Sequence, residues 1–363
     1  MIDTGITLVK VSKTTIMIRI ISCKIISNRC KWIRRGSDRG CERHPGWVGA
    51  WRSAMLQSKL RTVLGTRGPT AALKDGLVRP VGFEFDFDEE VTDVIGAFRR
   101  MVRNSEFDVC EMALSTYLCA REHGKRFTAL PVFLVRAFHH SAILVRRDNS
   151  ARSPKALEGQ RVGVAGGYTT TTGLWARALL QEEHGVDLGR VTWVLSGDEH
   201  VAEYRAPANV VSAGGRKLVD LLLEGEIDAL IGTGVDHPAV VPLVPDGLAA
   251  GLQALRKRGY YPINHLVVVR DELLDETPQL AGALFEAFAE AQRLYVEHLR
   301  APSFAPRTPE EQLHCAVIKA GGDPLPYGIA PNQRVLESAI DHAMSQEIIT
   351  HRPALQTLFA PTS

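Results

Sequence analysis

The stretch from residue 130 to residue 148 limits the fold more than any other part of this sequence. Two apolar, β-branched runs follow each other there without a glycine or an Asn-Gly turn between them. Four polar residues stand at their junction: Arg136, His139, His140 and Ser141. Because a strand that passes from one apolar body into another can join two α/β lobes, the stretch predicts a hinge. Its polar residues predict a ligand between the lobes.

A second stretch, residues 261–270, has the same character, since His265 and Arg270 interrupt an apolar strand pattern. Two crossings that each carry a histidine and an arginine predict a cleft for a small anion. Elsewhere, short strand patterns alternate with helical ones between residues 60 and 231. This alternation predicts parallel sheets, and amphipathic helices are predicted at 278–300, 309–320 and 331–346.

The charge distribution separates a prefix from the body of the chain. Residues 1–54 hold eleven lysines and arginines against three acidic residues, a net charge of +8, while the whole chain has +2. The body is therefore mildly acidic at −6, which disfavours a nucleic-acid surface. We expect residues 1–54 to be a disordered or non-native extension, with Met55 as the natural start. No apolar run reaches the roughly 20 residues of a membrane span.

The six cysteines show no C-x-x-C spacing. Three of them, Cys110, Cys119 and Cys315, lie in the body, and an odd number cannot pair completely. Reduced cysteines are typical of cytosolic proteins, so we predict a cytoplasmic location.

Six motifs, in the same order along the chain, resemble the bacterial 4,5-dihydroxyphthalate decarboxylases. They are residues 107–118, residues 129–133 with Arg136 and His140-Ser141, residues 225–231, residues 262–265 before Val-Val-Val-Arg, residues 326–328 and residues 358–361. The likeness covers about residues 58–361 and none of the prefix.

The resemblance implies the type II periplasmic-binding-protein fold, an α/β architecture of two lobes with two hinge-crossing strands. The first lobe would comprise residues 55–139 and 265–363, and the second lobe residues 140–264. It also implies decarboxylation of 4,5-dihydroxyphthalate to 3,4-dihydroxybenzoate and CO2 without an organic cofactor. The expected partner is a small aromatic carboxylate, and a homo-oligomer is compatible with the sequence.

Direct loss of CO2 from an aromatic ring would leave a carbanion that the π system cannot stabilise. The ring carbon must therefore be protonated first, which needs a general acid, a group at the hydroxyls and a cation for the other carboxylate. We predict that His140 acts as the acid or as the partner of a hydroxyl and that His265 is the alternative general acid, because histidine ordinarily titrates near pH 6.5. Glu111 is unusual on an apolar strand. It is either a base for a hydroxyl or a buried carboxylate paired with an arginine.

Arg136 is predicted to clamp a carboxylate through two hydrogen bonds. On a regular strand it would share a face with His140, whereas His139 would point the other way and pack against a lobe. The remaining predicted binding residues lie in loops and at helix starts, where N–H groups are free. They are Arg67, Ser115 as an N-cap, Thr116, Thr170, Thr171 and Thr172.

Two other functions stay open, because the loop at 66–70, His139 and Asn264 depart from the usual family residues. One is a solute-binding protein of a transporter, and the other is a different carboxylate-acting enzyme such as a dehydratase. The cleft histidines favour an enzyme, since binding alone would be served by arginines and hydroxyls. A metal site is disfavoured because its candidate ligands lack H-x-x-H or H-x-H spacing. Those candidates are His139, His140, Asp236, His237 and His265.

Overall fold

The computed structural model describes residues 58–148 and 153–362, so the predicted extension at residues 1–54 lies outside it. Within these residues the first sheet has five strands in the order β2-β1-β3-β11-β4. They are β1 (Ser58–Val63), β2 (Phe83–Phe87), β3 (Val109–Ala113), β4 (Phe127–Arg136) and β11 (Ile263–Arg270). β1 is parallel to β2 and β3, and β11 is antiparallel to β3 and β4. A late strand thus lies inside the first sheet.

Three helices connect the early strands of this sheet. They are α1 (Gly68–Lys74), α2 (Val94–Asn104) and α3 (Leu114–Glu122). α2 buries Ala97, Phe98, Met101 and Val102 on one face, whereas Ile95 is exposed.

The second sheet has six strands in the order β10-β5-β9-β6-β7-β8 within the same described residues. They are β5 (Ile143–Arg146), β6 (Arg161–Val164), β7 (Thr192–Leu195), β8 (Val210–Ser212), β9 (Ala229–Ile231) and β10 (Val240–Pro242). Its helices are α4 (Thr171–His184), α5 (Leu218–Glu224) and α6 (Gly247–Arg258). β6, β7, β8 and β9 are parallel, as the strand and helix alternation predicts.

The chain ends in helices, as predicted. They are α7 (Asp271–Glu276), α8 (Leu280–Arg300), α9 (Pro309–Lys319) and α10 (Gln333–Ser345). α8 packs on α1 and β4, whereas α10 packs on both α3 and α4. No helix within residues 58–148 and 153–362 is long and apolar enough to cross a membrane.

The chain passes twice between the sheets, at residues 137–142 and again between β10 and β11. We call the part built on the first sheet the first lobe and the part built on the second sheet the second lobe. The predicted two-lobed α/β fold is confirmed. The exact lobe boundaries at residues 139/140 and 264/265 stay predictions.

The first crossing is not a continuous strand. β4 ends at Arg136, and residues His140–Ala142 form a short 3-10 turn. The prediction that Arg136 and His140 share a strand face is therefore wrong, because the alternation of side chains stops at Arg136.

Two contacts of α4 fix the second lobe on the hinge. The indole N–H of Trp175, a buried residue, donates to the carbonyl of Ile263 on β11 at 2.8 Å. At the other end of α4, Glu183 lies 3.2 Å from Nε2 of His140 and also binds the Arg258 guanidinium. The hydrogen bond with His140 and the Arg258 guanidinium, against the opposing effect of burial, lower the pKa of Glu183 to about 2.

This pKa shift predicts a pH-dependent stabilisation of the hinge. A glutamate whose pKa is depressed on folding stabilises above its ordinary value of 4.5, and that contribution is lost as the pH falls toward 2. Glu183→Gln should lower the free energy of unfolding by about 1–3 kcal/mol at pH 7, and by less than half of that at pH 3. Urea unfolding at both pH values measures this difference.

Glu286→Gln is a matched control, because Glu286 is exposed on α8. An equal loss of stability at pH 7 and pH 3 for Glu183→Gln would contradict the ion-pair origin of the effect.

Candidate active site

Loops after the carboxyl ends of parallel strands form the facing surfaces of the two lobes. In the first lobe they follow β1 and β3, and in the second lobe they follow β6 and β7. Ligands of open α/β sheets bind at such strand ends. The candidate site is therefore the space that these four loops border.

Hydrogen bonds join these loops across the lobes. The Ser115 hydroxyl donates to the carbonyl of Thr169 at 2.5 Å and lies 2.8 Å from the Thr171 hydroxyl, which also accepts from the Ser115 N–H at 3.1 Å. Thr116 Oγ1 lies 3.2 Å from Nδ1 of His200. Three predicted binding residues thus meet here. Ser115 is not the predicted N-cap, because α3 already begins at Leu114 and the Ser115 hydroxyl reaches the other lobe instead.

Glu111 on β3 has no exposed surface and is surrounded by three donors. Its Oε1 lies 2.7 Å from His265 Nδ1 and 3.1 Å from Arg67 Nη2, while Oε2 accepts from the Gly65 N–H at 2.8 Å. The structure therefore brings Glu111, His265 and Arg67 together, and the ion pair of Glu111 with an arginine is present.

The protonation state of this cluster follows from its contacts. Burial alone would raise the pKa of Glu111, but the hydrogen bond and charge of His265, the charge of Arg67 and the Gly65 N–H hold that pKa below its ordinary value. An ionised carboxylate only accepts hydrogen bonds, so Nδ1 of His265 carries a proton. Nε2 of this side chain, which is 22% exposed, remains for proton transfer. A carboxylate that orients an imidazole in this way is a recurrent catalytic arrangement.

The threonine loop before α4 is shaped by a carboxylate from the next loop. Glu199 accepts hydrogen bonds from the Tyr168 N–H, from the Thr169 N–H at 3.1 Å and from the Thr169 hydroxyl at 2.6 Å. Thr170 is the N-cap of α4, and its hydroxyl is buried without a hydrogen-bond partner in the described residues. Thr172 is half-buried in the first turn. The start of this fourteen-residue helix favours an anion.

A second imidazole, which sequence reasoning missed, stands on the second lobe. The Phe98 ring meets His265 and His200 edge-on, with ring centroids 5.1 and 6.1 Å away. Burial and the charges of Arg99 and Arg103 lower the pKa of His200 to about 4, so His200 is neutral at pH 7. The only sequence signal for it is its position shortly after a strand of the parallel sheet.

Two arginines of α2 close the rim of the cleft over this loop. Arg99 donates to the carbonyl of Asp198 at 3.2 Å. Arg103 donates to the carbonyls of His200 at 3.2 Å and Glu199 at 2.9 Å. The two lobes are therefore in contact along the rim.

The structure does not bring His140 to the other predicted catalytic residues. Its partner Glu183 lies twelve residues along α4 from Thr171, which is about 18 Å of helix. The 3-10 turn directs His140 to Glu183, and a role of His140 beside His265 stays a prediction.

Arg136 is enclosed by acceptors of the protein itself. Nη1 donates to the Tyr261 carbonyl at 2.8 Å, and Nη2 donates to the Pro326 carbonyl at 3.3 Å and to Asn332 Oδ1. Only its Nε–H is buried without a partner among the described residues. Both Nη atoms thus already donate within the protein, and the clamp of a carboxylate by Arg136 stays a prediction.

The described residues contain no group of three or more histidine, cysteine, aspartate or glutamate side chains that could hold a metal ion. His139, one of the candidate ligands, is instead buried with Nε2 3.2 Å from Asn264 Nδ2. Burial, and to a smaller extent His140, lowers the pKa of His139 to about 3, so it is neutral at pH 7.

Comparison with known proteins agrees with this architecture. The family described as "ABC transporter, phosphonate, periplasmic substrate-binding protein" matches residues 70–310. Among solved structures, the periplasmic aliphatic sulphonate binding protein SsuA from Escherichia coli aligns with 84% of this chain and 97% of its own length, at 11% identity and a TM-score of 0.47. The fold is that of the periplasmic-binding-protein class.

Curated relatives define the family more narrowly. A 4,5-dihydroxyphthalate decarboxylase from Comamonas testosteroni is 31% identical over 327 residues, covering 85% of this chain and 98% of the relative. A second one from Pseudomonas putida is 34% identical over 178 residues, covering 45% of this chain and 69% of the relative. The chain belongs to the 4,5-dihydroxyphthalate decarboxylase family, as its motifs predict.

The buried cluster predicts a large stability effect at Glu111. Glu111→Ala leaves the Arg67 guanidinium and the Gly65 N–H without their acceptor, so the free energy of unfolding should fall by about 3–5 kcal/mol. Glu106→Ala is the matched control, because Glu106 pairs with Arg100 near the surface and such pairs contribute about 1 kcal/mol or less. Equal losses for both variants in urea unfolding would contradict an ionised, paired Glu111.

Proposed function

We propose that this protein is a carboxy-lyase that converts 4,5-dihydroxyphthalate to 3,4-dihydroxybenzoate and CO2. The single observation that carries the proposal is the hydrogen bond of 2.7 Å between Glu111 Oε1 and His265 Nδ1 at the interlobe site. It gives one imidazole a fixed orientation and a free Nε2, which is what proton delivery to a substrate requires. Family membership supplies the substrate.

The proposed reaction begins with protonation of the ring. The imidazolium of His265 donates its Nε2 proton to the ring carbon that bears the leaving carboxylate. The bond from that carbon to the carboxylate then breaks, CO2 leaves, and the electron pair restores the aromatic ring. His265 is left neutral and takes up one proton, so the net reaction consumes one proton for each CO2 released.

Two groups assist this step without exchanging the ring proton. The ionised Glu111 holds Nδ1–H of His265 and stabilises the imidazolium, so it acts as a positioning residue. A hydroxyl para to the reacting carbon must supply electron density, and the neutral His200 can accept a hydrogen bond from that hydroxyl. Thr116 fixes the orientation of the His200 ring through Nδ1.

Binding of a dianionic substrate needs positive potential at the facing loops. Arg67 supplies a guanidinium beside Glu111, and the start of α4 supplies free N–H groups with Thr170, Thr171 and Thr172. Ser115 bonds these threonines from the first lobe. Proton chemistry of this kind needs no organic cofactor.

We also propose a cytoplasmic location. Three cysteines of the described residues, Cys110, Cys119 and Cys315, are free thiols, which is typical of reducing compartments.

Purified protein should convert 4,5-dihydroxyphthalate to 3,4-dihydroxybenzoate with equimolar CO2, without added cofactor and with chelator present. His265→Gln should lower kcat by about 10²–10⁴-fold with little change in KM, because general acid catalysis contributes a factor of that size. Chromatography of the product and measurement of the released CO2 give the rates from which kcat and KM are obtained.

His351→Gln is the control, because the His351 side chain is 89% exposed and pairs with Glu122 outside the cleft. Tight binding of the compound without any product would replace the proposal with a solute-binding function. A rate abolished by chelator would point to metal-dependent chemistry.

A further inference from the structure

Besides Nδ1 of His139, Nδ1 of His140 and Oδ1 of Asn264, three polar atoms around the first crossing are buried and have no hydrogen-bond partner within residues 58–148 and 153–362. They are Nε of Arg136, the hydroxyl of Tyr261 and the hydroxyl of Tyr327. Buried polar groups are almost always satisfied in native proteins, and an unmade bond costs free energy. Three such groups together therefore suggest a missing ligand rather than three separate defects.

The three groups belong to one structural unit. The Arg136 guanidinium lies 5.3 Å from the Tyr261 ring centroid and binds the Tyr261 carbonyl. It also binds the Pro326 carbonyl, and Asn332 Nδ2 donates to the carbonyls of Pro326 and Gly328 at 2.8 and 2.7 Å. Arg136 and Asn332 thus hold the turn that presents Tyr327.

The charge of this unit is not compensated. Arg136 is 4% exposed, and none of its hydrogen-bond acceptors in the described chain is a carboxylate. Asp323 influences Arg136 electrostatically but is itself exposed and forms no ion pair with it among the described residues. Burial lowers the pKa of Arg136 only to about 10, so the guanidinium stays charged at neutral pH.

The two phenols remain neutral donors. Burial raises the pKa of Tyr261 and of Tyr327, and the nearby guanidinium opposes this only in part. A buried cation with three free donors matches a carboxylate, which accepts several hydrogen bonds and carries the opposite charge.

The unit adjoins the cluster of Glu111, His265 and Arg67. On the paired strands Arg136 stands opposite Ile263, which is two residues and about 7 Å along β11 from His265. Tyr327 also lies within the electrostatic influence of Arg67 and Glu111. Of two adjacent carboxylates on one aromatic ring, one could therefore lie at this unit and the other at the cluster of Glu111, His265 and Arg67.

We infer that Arg136, Tyr261 and Tyr327 form a pocket for the carboxylate that the reaction retains, and that they select aromatic dicarboxylates over monocarboxylates. This inference rests on the proposed function for the identity of the ligand. In this role Arg136 offers its Nε–H to the ligand. Its Nη atoms donate to the carbonyls of Tyr261 and Pro326 and to Asn332.

Tyr327→Phe and Tyr261→Phe each remove one hydroxyl and nothing else. Each should raise the Kd for phthalate by about tenfold and leave the Kd for benzoate unchanged, because only the second carboxylate uses these donors. Each should also keep or raise the melting temperature of the ligand-free protein, since a buried, unpaired hydroxyl is removed. Calorimetry with phthalate and benzoate, and thermal unfolding, measure the two effects.

Tyr295→Phe is the matched control, because the Tyr295 hydroxyl is buried but already lies 2.9 Å from His314 Nδ1. It should lower the melting temperature and leave the ratio of phthalate to benzoate affinity unchanged. A lowered melting temperature in Tyr327→Phe and Tyr261→Phe, or unchanged phthalate binding in both, would overturn the pocket.

The outcome separates this inference from the proposed function. If the wild-type protein decarboxylates the substrate but both phenylalanine variants bind phthalate as the wild type does, the proposed function stands and the pocket is rejected. If both phenylalanine variants lose affinity for phthalate alone and the wild-type protein releases no CO2, the pocket stands and the proposed function is rejected. A wild-type protein that binds neither phthalate nor 4,5-dihydroxyphthalate rejects both.

Discussion

Burying the charge of Glu111 requires three donors from two separate parts of the chain. An ionised carboxylate in a protein interior costs several kcal/mol unless it is paired and hydrogen-bonded. Gly65 and Arg67 supply two donors from the first loop. His265 supplies the third from β11, which follows the second lobe in the sequence. Glu111 and all three of its donors belong to the first sheet and its loops, so the reactive imidazole is oriented within the first lobe.

Sequence periodicity predicted most of the sheets, because buried parallel strands leave compact apolar runs between helical segments. It gave no prediction for α6, which contains two glycines. A Cβ atom on Gly251 would lie 2.2 Å from the Phe138 ring, so the glycine serves close packing of this helix on the hinge. The first crossing was misjudged for a related reason. Apolar residues on both sides of it conceal the 3-10 turn that redirects His140.

The candidate site was predictable in its residue types but not in its pairs. Glu111 and His265 stand out as polar residues on apolar strands, yet 154 positions separate them. His200 carries no local signal, and its partner Thr116 is 84 positions away. Arg136 was correctly singled out as unusual, although its acceptors come from turns that no local pattern connects to it. Such partnerships are set by tertiary packing.

The rim of the cleft is closed by guanidinium groups on backbone carbonyls rather than on carboxylates. Neither partner gains or loses a proton anywhere between mild acid and mild alkali. The Arg99 and Arg103 contacts at the rim therefore keep their strength over the pH range in which an imidazole changes charge. A pH dependence of turnover would then not arise from these rim contacts.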